Sequence, residues 1–182
     1  MLSEPSQRRA VFLDRDGVIN HSVVRNGKPF PPANLAAMEI IPGVPQAMEL
    51  LADQGFLLIV ITNQPDVARG TTSRETVEEI NDYLKSCLPI DEIRTCYHDN
   101  HEDCDCRKPS PGALLSAAKA HHINLKTSYM VGDRWGDVEA GERAGCRTIF
   151  IDYGYEEKQP TTMNFRVQTL MEAAHIILGE IT

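Results

Sequence analysis

Short apolar runs alternate with amphipathic segments along most of this chain. Residues 10–13 and 56–61 are apolar throughout and stop abruptly at polar residues, as buried parallel strands do. Between them, residues 44–54 have apolar positions at helical spacing, and Gly55 closes the pattern. The same alternation continues to the end of the chain. It predicts further strands over 92–96, 128–131 and 147–151, and helices over 73–87, 111–121, 137–144 and 163–178.

This alternation predicts an α/β fold. We expect a three-layer sandwich, in which helices cover both faces of a Rossmann-like parallel sheet through right-handed connections. The 182 residues suit one domain over 1–182, with a polar and flexible segment at 1–9. Residues 20–42 are predicted to be irregular, because Asn26-Gly27 and three prolines mark turns there.

The charge balance changes this picture by excluding some partners. Lys plus Arg number 18 and Asp plus Glu number 26, which gives a formal net charge of −8. Such a surface disfavours nucleic acid and anionic membranes, and the longest basic cluster is Arg8-Arg9. The sequence has no apolar run near the roughly 18–20 residues of a membrane span and no apolar secretory signal. We therefore expect a cytoplasmic protein without nucleic-acid or membrane partners. Because no apolar surface stripe is evident in the sequence, we expect a monomer by default.

Polar and charged side chains collect where the predicted strands end. Because ligands bind beyond the carboxyl ends of strands in open α/β sheets, these residues are expected to share one crevice. Clustered carboxylates repel one another unless a cation lies among them, and oxygen ligands favour Mg²⁺. A single Asp after a strand is commonly a turn or cap residue, so the prediction rests on the agreement of four strand ends. They are Asp14 and Asp16, Thr62 and Asn63, Arg107 and Lys108, and Asp133 and Asp137. The hydroxyl and the two cations in this set suit a phosphate group.

A second cluster of metal ligands lies in one short segment. Cys96 and His98 are followed after five residues by Cys104 and Cys106. Three thiolates and one imidazole predict a closed tetrahedral Zn²⁺ site, which is structural because no ligand position stays open. This zinc loop, residues 96–106, would fix the position of the following Arg107 and Lys108. His101 is an alternative fourth ligand.

The segments FLDRDGVIN, VITNQ, CRKP and VGDRWGD resemble, in that order, the four motifs of the haloacid dehalogenase-like phosphohydrolases. The resemblance covers residues 10 to about 151. Within that superfamily, DRDGVIN, TNQ, Ala68-Arg69-Gly70 and the Cys/His segment are similar to the heptose-bisphosphate phosphatases. They are also similar to the phosphatase domain of bifunctional histidine-biosynthesis enzymes. Both groups have minimal caps, and the segments between the motifs are too short here for a large cap domain.

The resemblance implies Mg²⁺-dependent hydrolysis of a phosphomonoester through an aspartyl-phosphate. Asp14 is then the nucleophile, and Asp16 gives a proton to the leaving alcohol and later takes one from water. Asp14, the backbone carbonyl of Asp16, and Asp133 would hold Mg²⁺, with Asp137 as a further candidate. Thr62 and Lys108 would hold the phosphate oxygens. The implied substrate contacts are Ser22, Arg25, Asn63, Arg107 and Arg134.

The implied substrate is a small phosphorylated sugar. We favour D-glycero-D-manno-heptose 1,7-bisphosphate, from which the enzyme would remove the 7-phosphate. The short Cys/His spacing also resembles histidinol-phosphate phosphatases, so histidinol phosphate is the main alternative. Pro65-Asp66 stands where the heptose group usually has Ser-Gly, at a turn expected to face the pocket. A polynucleotide phosphatase is disfavoured by the acidic charge and the few aromatic residues. The alternative from another class is a zinc-binding interaction module without catalysis, which metal-dependent turnover would exclude.

Overall fold

A six-stranded parallel sheet forms the centre of the computed structural model, which describes residues 7–179. The strands are Ala10–Leu13 (β1), Val23–Arg25 (β2), Lys28–Phe30 (β3), Leu57–Asn63 (β4), Glu92–Cys96 (β5), Tyr129–Gly132 (β6), Arg147–Ile151 (β7) and Phe165–Val167 (β8). The helices are Val44–Asp53 (α1), Arg74–Cys87 (α2), Gly112–His121 (α3), Trp135–Ala144 (α4) and Leu170–Ile177 (α5). The strand order in the sheet is β5-β4-β1-β6-β7-β8. The predicted α/β class with a parallel sheet is confirmed.

Helices cover both faces of the sheet, as the alternation predicted. Successive side chains of β1 point to opposite faces, so Leu13 belongs to one core and Phe12 to the other. The first core includes buried residues of α1, α2 and α5, and the second includes buried alanines and a leucine of α3 and α4. The three-layer arrangement places the carboxyl ends of β1, β4, β5 and β6 along one edge of the sheet.

The helix boundaries follow capping residues visible in the sequence. The Ser73 hydroxyl accepts a hydrogen bond from the Thr76 amide at 3.1 Å, which begins α2 as predicted. Gly145 ends α4 with φ of +88°, a left-handed conformation that glycine adopts without a Cβ clash. Helix α4 begins at Trp135, two residues before the predicted start.

The predicted final helix over 163–178 is wrong in its first part. Phe165–Val167 forms the edge strand β8, which pairs with β7 in parallel, and α5 begins only at Leu170. Along β8, Arg166 is exposed between the half-buried Phe165 and the buried Val167. That alternation has the period of a strand, and the following Thr169 accepts the Glu172 amide at 3.2 Å as the cap of the helix.

Two segments expected to lack regular structure are ordered. Strands β2 and β3 form an antiparallel hairpin around Asn26-Gly27, where both residues have positive φ. The Gly27 carbonyl accepts the Glu156 amide at 2.9 Å, which joins the hairpin to the loop after β7. Residues 1–6 of the predicted flexible segment lie outside the described residues. The backbone of Arg8 is ordered, because its amide donates a hydrogen bond to the His122 carbonyl at 3.0 Å.

The hairpin is the only strand structure between β1 and α1 in the part of the chain that is described, in line with a minimal cap. Across residues 7–179, every helix is too short or too polar to cross a membrane.

Candidate active site

A cleft of about 360 Å³ lies at the carboxyl edge of the sheet. Eight of the predicted catalytic, metal and substrate-contact residues line it: Asp14, Asp16, Ser22, Asn63, Arg107, Lys108, Arg134 and Asp137. They come from the ends of β1 and β4, the position before β2, the start of α4 after β6 and the segment after the Cys/His loop. Thr62 and Asp133 belong to the same strand ends but are each only 1% exposed. The expected convergence of four strand ends on one crevice is therefore present.

Lys108 joins two of the carboxylates at the bottom of the cleft. Its ammonium lies 2.8 Å from Oδ1 of Asp14 and 2.7 Å from Oδ1 of Asp137, and it also donates to the Ile61 carbonyl at 2.6 Å. Only 2% of the Lys108 side chain is exposed. Burial opposes its charge, but the Asp137 and Asp14 carboxylates outweigh burial and raise the pKa of Lys108. Lys108 is therefore a fixed, fully charged cation.

Asp133 forms no ion pair among the described residues. Both of its carboxylate oxygens are buried without a hydrogen bond, although the Tyr155 side chain lies near enough to lower the pKa of Asp133 in part. Gly17, with φ of +88°, packs so closely that a Cβ there would overlap this carboxylate. Burial raises the pKa of Asp133 well above its usual value, and the charges of Asp14 and Asp137 raise it further. A buried carboxylate is costly unless it is paired, so these two oxygens suit a positively charged ligand.

Asp14 experiences the same electrostatic environment. Burial and the neighbouring Asp137 raise its pKa to about 6, although Lys108 opposes the shift. Ligand oxygens of Asp14, Asp133 and Asp137 lie within 4.8 Å of one another. This donor set, made only of carboxylate oxygens, suits a hard divalent cation such as Mg²⁺.

Asp137 differs from the other two carboxylates because both of its oxygens have partners. Oδ1 lies against Lys108, and Oδ2 accepts the Arg134 amide at 3.0 Å at the start of α4. A Cβ on Gly132 would overlap the Asp137 side chain, so the glycine permits this position. The geometry thus fixes Asp137 as a partner of Lys108 and a cap of α4.

Asp16 is held by a network that the sequence analysis did not assign. Its Oδ1 accepts Asn20 Nδ2 at 2.9 Å, and its Oδ2 accepts Gln64 Nε2 at 2.7 Å. Arg15 Nη2 approaches the two oxygens at 3.3 and 3.1 Å. All three partners lie within the motif segments DRDGVIN and VITNQ, but polar residues beside an expected site do not by themselves indicate which carboxylate they hold.

Thr62 and Asn63 have different surroundings at the end of β4. The Thr62 hydroxyl accepts Gln64 Nε2 at 2.9 Å, which leaves its own proton available to another acceptor. The Asn63 side chain donates to the Lys108 carbonyl at 3.0 Å and accepts the Lys108 amide at 3.2 Å. Asn63 therefore fixes the backbone of Lys108 relative to β4, besides lining the cleft.

The arginines at the cleft differ in their partners. Arg69 is paired with Asp99 at 2.6 Å and Asp66 at 3.4 Å. Arg107 instead contacts neutral groups, the His98 carbonyl at 3.3 Å and the Asn100 side chain at 2.5 Å. Among the described residues, no carboxylate forms an ion pair with Arg107, so its charge is available to an anionic ligand.

The two remaining predicted substrate arginines are placed differently from each other. Arg134 lines the cleft and forms a two-point ion pair with Glu157, with contacts of 2.9 and 2.5 Å. Arg25 was expected to contact substrate, but it is exposed on β2 and does not line the cleft. Its guanidinium lies 5.8 Å from the centre of the Phe30 ring. The hairpin over a segment that was predicted to be irregular thus leaves Arg25 outside the cleft lining.

The Cys/His loop brings together the four ligands predicted for it, Cys96, His98, Cys104 and Cys106, while His101 lies outside the cluster. Their separations include 3.4 and 3.3 Å from His98 Nδ1 to two sulfurs, and 3.9 Å between Cys96 and Cys104. A tetrahedral ion with metal–sulfur bonds of about 2.3 Å requires sulfur separations of roughly 3.8 Å. Burial and the neighbouring thiols raise the pKa of Cys106 to about 12, so a thiolate cluster here requires a cation.

Comparison with known proteins relates this site to phosphatases. A family model described as HAD-hydrolase-like matches residues 105–173. The D-glycero-beta-D-manno-heptose-1,7-bisphosphate 7-phosphatase of Pasteurella multocida is 32% identical, over 94% of this chain and 98% of its own length. The D-glycero-alpha-D-manno-heptose-1,7-bisphosphate 7-phosphatase of Photorhabdus laumondii is 34% identical, over 84% and 87%.

A solved structure has the same arrangement of the chain. The D,D-heptose 1,7-bisphosphate phosphatase of B. bronchiseptica, complexed with magnesium and phosphate, superposes with a TM-score of 0.77 at 26% identity. The superposition covers 95% of this chain and 99% of that one. The similarity therefore extends over almost the whole of both chains.

Proposed function

This chain belongs to the heptose-1,7-bisphosphate 7-phosphatases of the HAD-like hydrolases, and from that membership we propose that it hydrolyses the 7-phosphate of D-glycero-D-manno-heptose 1,7-bisphosphate. The protein is a phosphatase that hydrolyses phosphate esters. The observation that supports the proposed chemistry best is the meeting of three buried carboxylates with Lys108, of which Asp133 alone has both oxygens buried without a hydrogen bond.

The carboxylate cluster fits a magnesium ion. Asp14, Asp133 and the backbone carbonyl of Asp16 are the groups we assign to hold it, because both Asp133 oxygens are buried without a hydrogen bond. We assign Asp137 to hold Lys108 and add negative charge beside the ion, since both of its oxygens are occupied. Mg²⁺ held by these residues would supply positive charge that offsets the repulsion between the Asp14 carboxylate and a phosphate dianion.

Asp14 is the proposed nucleophile. One of its oxygens attacks the phosphorus, the bond between phosphorus and the ester oxygen breaks, and the electron pair leaves with the alcohol oxygen. Lys108 at 2.8 Å fixes Oδ1 of Asp14 and so orients the carboxylate. Water then attacks the phosphorus of the aspartyl-phosphate, which restores the carboxylate and releases inorganic phosphate.

Asp16 is the proposed proton carrier for both steps. It gives its proton to the departing alcohol oxygen, and the resulting carboxylate takes a proton from the attacking water. Its side chain is 15% exposed and lines the cleft beside Asp14, so it can reach a bound ester. The bonds from Asn20 and Gln64 hold it in one orientation.

Thr62 and Lys108 are assigned to the oxygens of the reacting phosphate. The Thr62 proton is available because the hydroxyl oxygen accepts from Gln64. The ammonium of Lys108 lies against Asp14, so it can stabilise the negative charge on the phosphoryl group as that group is transferred. Fixed donors of this kind stabilise the transition state because they need no reorganisation.

Arg107 is the proposed contact for the second phosphate of the substrate. Its guanidinium lines the cleft and contacts only neutral groups, so its positive charge is available to bind an anionic group of the substrate. Ser22 and Arg134 line the same cleft and are assigned to the sugar and its phosphates. Asn63 contributes through Lys108, whose backbone it binds on both sides.

The Cys/His cluster is proposed to hold a structural zinc ion. Its four ligands leave no open position, and Arg107 follows directly after Cys106. The loop also supplies the His98 carbonyl and the Asn100 side chain that hold the Arg107 guanidinium. Zinc would therefore fix the shape of the loop that presents Arg107 to the cleft.

The substrate assignment predicts a strong preference among phosphate esters. With Mg²⁺, one anomer of the heptose 1,7-bisphosphate should exceed the other anomer and histidinol phosphate by about 100-fold in kcat/KM, roughly 2.7 kcal/mol. Phosphate release from all three compounds should be measured side by side, with a chelator-treated sample as the blank. Comparable slow rates on every compound would reject the heptose substrate and keep the phosphatase class.

Loss of a zinc ligand is predicted to weaken the fold locally. Cys106→Ser should reduce the zinc content from about one ion per chain to near zero. It should also lower the thermal midpoint by about 5–10 °C, which corresponds to roughly 2–3 kcal/mol for a chain of this size. The matched control is Cys87→Ser, because Cys87 is exposed and lies outside the cluster. A parent protein that purifies from zinc-containing medium without zinc would contradict the assignment.

A further inference from the structure

The buried arginine next to the proposed nucleophile has no role in the steps derived above. Arg15 follows Asp14 directly, and its exposed fraction is 0%. Burying a guanidinium costs several kcal/mol unless it is paired and hydrogen-bonded, and an apolar side chain of similar volume avoids that cost. A fully buried arginine at this position therefore requires a specific partner.

That partner is Asp16. Among the described residues, Asp16 is the only carboxylate in an ion pair with Arg15, and Nη2 reaches its two oxygens at 3.1 and 3.3 Å. The arginine is also incompletely satisfied, because its Nε is buried without a hydrogen bond. The fold thus retains a costly buried charge whose only ionic contact is the proposed proton carrier.

The far side of Arg15 is anchored to two regular elements. Nη1 donates to Asn81 Oδ1 of α2 at 2.9 Å, and Asn81 Nδ2 donates to Thr95 Oγ1 of β5 at 3.1 Å. Thr95 pairs in register with Thr62, which is assigned to the reacting phosphate. The orientation of the guanidinium is therefore set by the sheet and a helix, and not by the loop that contains it.

From this geometry we propose that Arg15 is a positioning residue for the leaving-group step. It fixes the Asp16 carboxyl group toward the cleft and stabilises the negative charge that appears on Asp16 when its proton passes to the leaving alcohol. The ester bond breaks, the alcohol oxygen takes the proton, and the carboxylate that remains is already paired with the guanidinium. Asn81 supports this function by holding Arg15. The proposal rests on the proposed function, in which Asp16 supplies that proton.

The dependence on the leaving group tests this proposal. An alkyl phosphate such as the heptose bisphosphate needs a proton on its leaving oxygen, whereas the nitrophenolate released from p-nitrophenyl phosphate leaves without one. Comparison of kcat/KM is appropriate, because kcat/KM reports steps up to formation of the aspartyl-phosphate and not its later hydrolysis. Arg15→Met is expected to lose about 100-fold in kcat/KM on the alkyl ester, a typical contribution of acid catalysis, and less than about 5-fold on the aryl ester.

Two further variants serve as an independent test of the proposal and as its control. Asn81→Leu leaves every group that touches Asp16 in place, and it is expected to lose roughly 10-fold on the alkyl ester alone. It replaces Arg15→Met as the test if that variant does not fold. Arg94→Met is the matched control and should stay within about 2-fold of the parent. Arg94 is a partly buried arginine that pairs with Glu92 on β5 and donates a hydrogen bond to Ser116, and it does not line the cleft.

Folding and metal response are followed in parallel by thermal unfolding and by Mg²⁺-induced fluorescence changes of Trp135. Trp135 is the only tryptophan of the chain and lines the cleft. Equal losses on both esters, or no loss on either, in a variant with the parent's unfolding midpoint and Mg²⁺ response would overturn the role of Arg15. A parent protein inactive on both esters would instead reject the proposed function itself.

Discussion

Asp14→Asn is expected to abolish turnover, with kcat/KM reduced by at least about 10⁴-fold, because an amide is neither ionised nor nucleophilic. The substitution keeps the shape of the side chain and an oxygen that can accept from Lys108. The fold should be retained, because burial already disfavours the charged form of Asp14, whose pKa is raised to about 6. Phosphate release from the variant and the parent measures the effect. Rapid-quench mass spectrometry of the parent should also show a phosphorylated peptide that contains Asp14.

The control for this result is Asp53→Asn, which makes the same chemical change at the exposed end of α1. It should retain the parent's kcat/KM within about 2-fold. Because an asparagine can deamidate back to aspartate, the mass of the Asp14→Asn protein is checked after the assay. Turnover near the parent level in a verified Asp14→Asn sample would remove Asp14 from the mechanism.

Lys108→Met is expected to reduce both stability and activity. Methionine fills a similar volume but leaves Asp14 and Asp137 buried without their shared cation, and breaking a buried ion pair in this way costs about 3–5 kcal/mol. The lost ammonium also no longer stabilises the transferring phosphate, so kcat/KM should fall by roughly 10³-fold. Denaturant unfolding with a chelator present and phosphate release with Mg²⁺ measure the two effects separately.

The loss of stability in Lys108→Met should depend on pH in a defined direction. Burial raises the pKa of Asp14 to about 6, above its ordinary value of 3.8, and Lys108 opposes that increase. Without Lys108 the folded-state pKa is higher still, so at pH 5 the folded protein takes up a proton and avoids part of the repulsion. The cost should be smaller at pH 5 than at pH 8. Lys119→Met on the exposed side of α3 should show neither effect, and an equal cost at both pH values would contradict this account.

Several strands and helices were predicted closely from the sequence. The predicted strands 92–96 and 147–151 match β5 and β7 at both ends, and α1 and α2 each agree within one residue. The converging strand ends were also predictable, because parallel topology places all carboxyl ends on one edge. The short edge strand β8 was missed because three residues of alternation beside an apolar helix resemble an extension of that helix.

What the sequence did not predict are contacts between elements that are distant along the chain. The Asn26-Gly27 pair predicts a turn, but whether Arg25 then faces the cleft depends on how the hairpin packs against the loop after β7. Likewise, Arg15 and Asn81 are 66 residues apart, and no periodic pattern in either segment indicates their hydrogen bond. Side-chain partners of this kind follow from tertiary packing.

The central position of β1 also has a consequence for the order in which the molecule assembles. Its neighbours are β4 and β6, and the Ala10 amide donates to the Ser128 hydroxyl across 118 residues of chain. The Asp14 amide donates a hydrogen bond to the Val131 carbonyl at 3.0 Å, so Asp14 meets Asp133 only when β6 docks. Loop closure over such a distance is slow, so we expect this docking to be a late event during folding. The mutually repulsive carboxylates are therefore brought together only after the surrounding core has begun to form, and their repulsion does not oppose the earliest collapse of the chain.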